Sequence, residues 1–213
     1  MLRITEIFYS LQGETSTVGL PTTFVRLTGC PLRCTYCDTE YAFYGGQKMA
    51  QDEVIQEVER LGAPWVTVTG GEPLAQRQQC LTLMTRLCDN GFSVSLETSG
   101  ALSIQDVDSR VTVILDLKTP ASGEVSRNLY ENLKLLKEQD EIKFVVSDRQ
   151  DYEWAKMKMD EYGLASRQGK VLFSPTHGNL KPAELADWIV ADKLPVRFQL
   201  QLHKLLWNDE PGR

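Results

Sequence analysis

Stretches typical of β-strands alternate with stretches typical of amphipathic helices along most of this chain. In the segment 50–61, apolar side chains recur every three to four residues, and the β-branched segment 65–69 follows it. Chains in which strand and helix alternate in this way form a mostly parallel sheet covered by helices, so we predict an α/β fold. Strands are predicted over 2–9, 22–28, 65–69, 92–97, 111–115, 141–147, 170–175 and 196–202, and helices over 50–61, 74–90, 129–138, 150–162 and 182–191.

The length and composition of the chain suit one globular domain. Its 213 residues are 42% hydrophobic and no linker divides them, so we predict a single domain over 1–213. The formal net charge of -6 disfavours a broad phosphate-binding face, and we expect no nucleic-acid partner. No apolar run is long enough to cross a bilayer, so we expect a cytoplasmic protein without membrane contact.

Three of the five cysteines, Cys30, Cys34 and Cys37, fall within eight residues. Thiolates at this spacing can hold one compact metal centre, and soft sulfur ligands favour an iron–sulfur cluster, zinc or copper(I). A closed zinc site needs a fourth ligand. The candidates for that ligand are Cys80, Cys88, His177 and His203. The first two fall in a predicted helix, where they suit the core, so the spacing alone leaves an iron–sulfur cluster, zinc and plain buried thiols as alternatives.

Polar and glycine-rich segments follow several predicted strands at their carboxyl ends. These segments begin at Cys30, Gly70, Thr98 and Asp116. Ligands bind at this edge in barrels and in open α/β sheets, so we predict one composite site there.

Five motifs, at 12–14, 30–37, 38–39, 70–73 and 203–207, together resemble the radical S-adenosylmethionine (SAM) superfamily, and within it the 7-carboxy-7-deazaguanine synthase family of queuosine biosynthesis. The pattern Cys-x3-Cys-x2-Cys and the Gly-Gly-Glu-Pro at 70–73 carry the likeness to the superfamily. The Gln-Gly-Glu at 12–14, the Asp-Thr at 38–39 and the His-Lys-x-x-Trp at 203–207 narrow it to the family. Further matching segments are 24–26, 97–100 and 143–146.

The resemblance implies a partial, open TIM-like barrel of about six parallel core strands with extra terminal elements, assembled as a homodimer. It implies that Cys30, Cys34 and Cys37 hold three irons of a 4Fe-4S cluster, whose fourth iron binds SAM. The cofactor-binding residues that it implies are Tyr36, Asp38, Gly71, Glu72, Ser99, Asp116 and Lys118.

The implied reaction is the conversion of 6-carboxy-5,6,7,8-tetrahydropterin to 7-carboxy-7-deazaguanine. The family is a carbon–nitrogen lyase that releases ammonia, uses SAM catalytically and needs Mg²⁺, for which Thr39 is the implied protein ligand. A flavodoxin- or ferredoxin-like donor is expected to supply electrons. The implied substrate-binding residues are Leu11, Gln12, Gly13, Glu14, Arg26, Thr69 and His203. Catalytic roles are expected for Glu14, Arg26 and His203.

Two other functions fit parts of the sequence. A small radical SAM activating enzyme, which abstracts hydrogen from a glycine of a partner protein, would share the cysteine motif but not a magnesium requirement. A zinc-stabilised binding module would instead take its fourth ligand from His177 or His203. Magnesium dependence and metal analysis distinguish these alternatives from the synthase.

Overall fold

A single open sheet organises the fold. The computed structural model describes residues 1–208, 210 and 212, and within them nine strands form this sheet. The strands are β1 (Leu2–Leu11), β2 (Pro21–Leu27), β3 (Gln47–Met49), β4 (Trp65–Gly70), β5 (Ser93–Thr98), β6 (Thr112–Asp116), β7 (Glu141–Val146), β8 (Val171–Pro175) and β9 (Arg197–Phe198).

The strand order is β3-β1-β2-β4-β5-β6-β7-β8-β9, and the strands from β2 onward in that order run parallel. Strands β1 and β3 extend one side of the sheet by antiparallel pairing. Six of the parallel strands have five to seven residues, whereas β9 has two. Within the described residues β3 and β9 remain at opposite edges, so the sheet is unclosed and the predicted fold class is confirmed.

Five α-helices connect or follow the strands in the described part of the chain. They are α1 (Gln51–Leu61), α2 (Arg77–Asp89), α3 (Arg149–Glu161), α4 (Pro182–Ala191) and α5 (Leu202–Trp207). Helix α1 buries Val54, Ile55 and Val58 and ends at Gly62, whose φ of 76° is the left-handed conformation that glycine favours. None of these helices combines the length and the apolar character that crossing a bilayer requires.

The predicted helix over 129–138 is wrong in type and length, because this segment forms only a short 3-10 helix, Tyr130–Leu135. Its backbone is tied to the loop after β5 by Asn132, which is fully buried. The Asn132 amide donates to the carbonyls of Gly100 and Leu102 and accepts from the Ile104 amide at 3.0 Å. A buried amide with these partners holds the chain close to the loop, and the leucine spacing alone did not reveal it.

The predicted strand over 196–202 is also too long. Only Arg197–Phe198 pairs with β8, and the chain then leaves the sheet. Gln199 donates from Nε2 to the Gly13 carbonyl at 3.2 Å, and the Leu202 amide donates to the same oxygen at 3.1 Å. These two bonds draw the end of the chain across the loop that follows β1.

One irregularity in β1 matters for the site. Ile4 pairs with Leu27, but the next pair joins Glu6 to Arg26, so Thr5 is an extra residue on β1. A one-residue bulge moves the following side chains to the other face of a strand. Leu27 is buried in the core with Ile4, whereas Arg26, the adjacent residue on β2, lines the opposite, cavity side of the sheet. The bulge therefore turns Glu6 toward the side of Arg26.

Candidate functional site

A cavity of about 300 Å³ lies at the carboxyl ends of the parallel strands. Every residue that the sequence predicted for the site lines this cavity, except Glu72. The residues that it brings together are Leu11, Gln12, Gly13, Glu14, Arg26, Cys30, Cys34, Tyr36, Cys37, Asp38, Thr39, Thr69, Gly71, Ser99, Asp116, Lys118 and His203. The composite site predicted from the strand ends is therefore present as one space.

The cysteine loop after β2 is held by hydrogen bonds to the segment that follows β6. The Arg33 amide donates to the Glu124 carboxylate at 2.6 Å, and the Thr35 amide donates to the Ser122 carbonyl at 3.0 Å. The Arg33 guanidinium donates back to the Cys30 carbonyl at 2.8 Å. These bonds fix a loop without regular structure, so its thiols face the cavity in a defined arrangement.

The three cavity cysteines fit an iron–sulfur cluster. All are free and half-buried, whereas Cys80 and Cys88 are buried in α2, as predicted. Burial is the main reason that the pKa of Cys34 rises to about 11, so a thiolate there needs a nearby cation, which the iron of a bound cluster would supply.

Gly71 lets the chain after β4 approach the cysteine loop. A Cβ at Gly71 would lie 2.5 Å from the Gly29 carbonyl oxygen and 2.7 Å from the Cys30 Cβ. Both distances are shorter than atoms tolerate, so any side chain at this position would push the loop away from the strand.

Asp116 offers a second sign that the cavity takes a ligand. Its Oδ2 lies 3.0 Å from the Lys118 ammonium and 3.6 Å from that of Lys143. Its buried Oδ1 has no hydrogen-bond partner among the described residues. An unpaired buried acceptor is costly, and a hydroxyl or amine of a bound ligand such as SAM would satisfy it.

Glu72 departs from the expected arrangement, because its side chain is fully buried and does not line the cavity. Its carboxylate accepts from the Leu74 amide at 2.9 Å, the Ser99 amide at 2.8 Å and the Thr98 hydroxyl at 2.9 Å. These bonds join the ends of β4 and β5. A direct contact between Glu72 and SAM stays a prediction.

Gln12 organises the opposite end of the cavity. Its Nε2 donates to the Thr67 hydroxyl at 3.1 Å and to Glu97 Oε1 at 3.2 Å, while its Oε1 accepts from the Glu14 amide at 2.8 Å. Thr69 donates to the other oxygen of Glu97 at 3.2 Å. The side chains of β4 and β5 thereby set the orientation of the loop that follows β1.

Glu14 carries the charge on this loop. Its Oε2 accepts from the Lys143 ammonium at 2.9 Å. Burial alone would raise the pKa of Glu14, but Lys143, aided by His203, outweighs burial and holds that pKa below its ordinary value. Because Lys143 lies between Glu14 and Asp116, it joins the two ends of the cavity through one ammonium group.

The first residues of α5, and Gln201 just before it, form part of the cavity wall. Gln201 donates from Nε2 to Glu14 at 3.1 Å and to Asp38 at 3.2 Å, and the Lys204 ammonium lies 3.1 Å from the Asp38 carboxylate. Ligand atoms of Glu14, Asp38 and His203 also come within 4.8 Å of one another. Both of these carboxylates already pair with cationic or amide groups, so this cluster is not a ready-made metal site.

Thr39, the expected magnesium ligand, lies at the rim of the cavity next to Asp38. Its hydroxyl donates to Asp38 Oδ1 at 2.9 Å. Mg²⁺ usually takes one or two protein ligands and completes its octahedron with water and substrate oxygens, so a single hydroxyl in this position is compatible with such an ion.

Sequence reasoning did not assign Glu97, Lys143 or Gln201 to the site, although all three line the cavity. Glu97 is the one charged residue of β5, and Lys143 stands between two apolar residues of β7, so these exceptions to the strand pattern could have identified them. Nothing in the local sequence marks Gln201 as a site residue. It reaches the cavity only because the chain leaves the sheet after β9 and bends into α5.

Comparison with known proteins agrees with this geometry. Residues 24–119 match the model of the radical SAM superfamily. The chain is 46% identical to the 7-carboxy-7-deazaguanine synthase of Koribacter versatilis, covering 98% of each protein. It is also 46% identical to the enzyme of that name from Chlorobaculum tepidum, covering 98% of this chain and 96% of that one.

The fold is similar to the crystal structure of QueE from Escherichia coli, with a TM-score of 0.74 and 26% sequence identity. That match covers 94% of this chain and 93% of the other. The likeness extends over both ends of the cavity and over nearly the whole length of the relatives. This chain belongs to the 7-carboxy-7-deazaguanine synthase family of the radical SAM superfamily.

Proposed function

We propose that the protein converts 6-carboxy-5,6,7,8-tetrahydropterin to 7-carboxy-7-deazaguanine and ammonia, as a carbon–nitrogen lyase of queuosine or related deazapurine biosynthesis. One observation carries the proposal: a single cavity has three free cysteines at one end and Gln12 and Glu14 at the other. Substrate and product differ by one molecule of ammonia, so the reaction needs no net oxidant and SAM can be regenerated.

In this proposal Cys30, Cys34 and Cys37 hold the 4Fe-4S cluster, and residues after β4, β5 and β6 surround SAM. When bound, the reduced cluster and SAM supply a carbon-centred radical that can abstract a hydrogen atom. The chain's own residues position the groups. The residues proposed around SAM are Tyr36, Asp38, Gly71, Glu72, Ser99, Asp116 and Lys118.

The other end of the cavity suits a pterin that carries a carboxylate. Arg26 offers a guanidinium that can form two parallel hydrogen bonds to a carboxylate. Burial, as the main cause, raises the pKa of Glu97, so this carboxyl more readily holds a proton than an exposed one does. Carboxyl and amide groups of this kind can pair with the donors and acceptors on the pterin edge. The residues proposed around the substrate are Leu11, Gln12, Gly13, Glu14, Arg26, Thr69 and His203, with Glu14, Arg26 and His203 closest to the chemistry.

Three further features complete the proposal. We expect a homodimer and a flavodoxin- or ferredoxin-like electron donor from the family resemblance, and a cytoplasmic location from the sequence. Each can be tested separately from the catalytic assignment, because none of them decides which residues line the cavity.

Thr39→Ala is expected to keep the cluster and to change the response to magnesium. If the hydroxyl binds the ion, its loss should raise the Mg²⁺ concentration for half-maximal turnover roughly tenfold or more, as changes around metal sites commonly do. Turnover measured over a series of Mg²⁺ concentrations checks this. Thr39→Ser retains a hydroxyl and serves as the matched control. An unchanged response in Thr39→Ala would remove Thr39 from the metal site.

The function is tested by an anaerobic assay of iron-reconstituted protein with SAM, a reductant, Mg²⁺ and 6-carboxytetrahydropterin. We expect 7-carboxy-7-deazaguanine and ammonia in equal amounts, without net consumption of SAM. If SAM is cleaved while the pterin remains, the substrate assignment is wrong. A requirement for a protein substrate in place of the pterin would favour the activating-enzyme alternative.

A further inference from the structure

Glu6 lies next to the cavity without lining it, and the irregularity in β1 places it there. With Thr5 as an extra residue, Glu6 becomes the cross-strand partner of Arg26, and Phe8 becomes that of Phe24. The two phenyl rings stack with their centroids 5.0 Å apart. Without the bulge, the pattern that buries Ile4 in the core would turn Glu6 toward the core as well.

Three groups hold the guanidinium of Arg26. Its Nε donates to Glu6 Oε1 at 2.7 Å, and the central carbon of the guanidinium lies 5.8 Å from the ring centroid of Phe8 and 5.9 Å from that of Tyr41. The Tyr41 hydroxyl donates to the same Glu6 oxygen at 2.8 Å. One carboxylate oxygen of Glu6 therefore ties together the arginine and one of the rings beside it.

Among the described residues, neither terminal nitrogen of Arg26 has a hydrogen-bond acceptor; only Nε donates, to Glu6. Arg26 nevertheless lines the cavity, and its side chain is only 16% exposed. A guanidinium has five N–H donors, and Glu6 takes only the one on Nε. The remaining edge is the part of the group that pairs with a carboxylate through two parallel bonds.

We infer that Glu6 is a positioning residue that directs the terminal edge of Arg26 toward a carboxylate of the substrate; the inference rests on the proposed function. Glu6 acts through Arg26 and does not touch the substrate itself. Glu97, which also lines the cavity, is near enough to attract the guanidinium of Arg26 electrostatically. Without Glu6, the guanidinium would be free to turn toward Glu97 and would no longer present this edge to the ligand.

Glu6 affects substrate binding in two opposite ways, through its negative charge and through the position in which it holds Arg26. Two variants can therefore separate these effects. The negative charge of Glu6 weakens the attraction of Arg26 for an anion, so its removal alone would tighten binding of a carboxylate. Loss of the acceptor that holds Nε would weaken binding, because the guanidinium would have to be ordered when the ligand arrives. Glu6→Gln removes the charge and keeps an acceptor oxygen, whereas Glu6→Leu removes both.

The test is equilibrium binding of 6-carboxytetrahydropterin and of its 6-carboxamide. Cluster-loaded protein is used with SAM and Mg²⁺ but without reductant, so that no turnover occurs. We expect wild type to prefer the carboxylate and Glu6→Leu to bind it roughly tenfold more weakly, the scale of one hydrogen bond to a charged group. Binding of the carboxamide should change little. Glu6→Gln should bind the carboxylate as well as wild type or more tightly.

Other outcomes overturn the inference in recognisable ways. Tighter carboxylate binding in both Glu6 variants would mean that only the charge of Glu6 matters. Equal weakening of both ligands would mean a general structural role. Tyr41→Phe keeps the ring and removes one bond to Glu6, so wild-type binding in both Tyr41→Phe and Glu6→Leu would also contradict it. If the wild-type protein does not bind 6-carboxytetrahydropterin, the proposed function is wrong. This failure is seen without any Glu6 variant, so it is distinct from a failure of the inference about Glu6.

Discussion

Replacing Cys34 with alanine is expected to abolish iron–sulfur cluster binding and turnover together. Cys34 is one of three free cysteines around the cavity, and the remaining two cannot provide the three thiolates that the cluster needs. The loop is held by Arg33 and Thr35 through bonds that do not use the Cys34 side chain. We therefore expect a folded protein with no cluster.

Iron content, acid-labile sulfide and visible absorbance after anaerobic reconstitution check this prediction, and SAM cleavage is measured in parallel. Cys88→Ala is the matched control, because Cys88 is buried in α2, away from the cavity, and its loss should leave cluster content unchanged. A Cys34→Ala protein that retains its cluster or its activity would refute the assignment of this residue.

Most of the strands and helices were predictable because local patterns decide them, whereas β3 and α5 were not predicted. The stripe of Val54, Ile55 and Val58 and the capping glycine at Gly62 are properties of a short segment, and the structure confirms the helix that they predict. Ligands bind at the carboxyl ends of parallel strands, and parallel strands bring these ends together. This predicted that the cysteine loop and the ends of β4, β5 and β6 form one site.

What the sequence did not reveal depends on contacts between distant segments. The bulge at Thr5 is visible only from the pairing of β1 with β2, so the position of Glu6 opposite Arg26 could not be read from the alternation of residues in β1. The buried Asn132 shortened a predicted helix, and the Gly13 carbonyl drew the chain out of a predicted strand. Periodicity contains no information about such partners.

Lys143→Met is expected to destabilise the fold strongly while leaving the cysteines intact. The side chain of Lys143 is 9% exposed, and its ammonium pairs with Glu14 at 2.9 Å and with Asp116 at 3.6 Å. Methionine has a similar shape but leaves these carboxylates without their shared cation. Removing one partner of a buried ion pair costs about 3 kcal/mol or more in free energy of unfolding, because the remaining charge is uncompensated.

The loss of stability in Lys143→Met should depend on pH, and the pKa of Glu14 determines whether the loss grows or shrinks as pH rises. In wild type the pKa of Glu14 is lowered, since Lys143 outweighs the effect of burial, so ionised Glu14 stabilises the fold above its ordinary pKa and this contribution disappears as pH falls. In the variant, burial without Lys143 should raise the pKa of Glu14, as it already raises that of Glu97. Both carboxyls then stabilise the folded state when they are protonated and destabilise it when they are ionised.

Wild type and Lys143→Met should therefore differ most at about pH 8 and clearly less at about pH 5, where the protonated carboxyls no longer leave a buried charge unpaired. Urea denaturation of the cluster-free proteins at both pH values measures this difference without a contribution from iron. Lys134→Met, which changes an exposed lysine on the 3-10 helix Tyr130–Leu135, should alter stability by less than about 0.5 kcal/mol at either pH. A Lys143→Met protein as stable as this control, or equally destabilised at both pH values, would show that Lys143 does not hold Glu14 and Asp116 through its charge. The predicted pattern would instead identify one buried ammonium as the electrostatic connection between the two ends of the cavity.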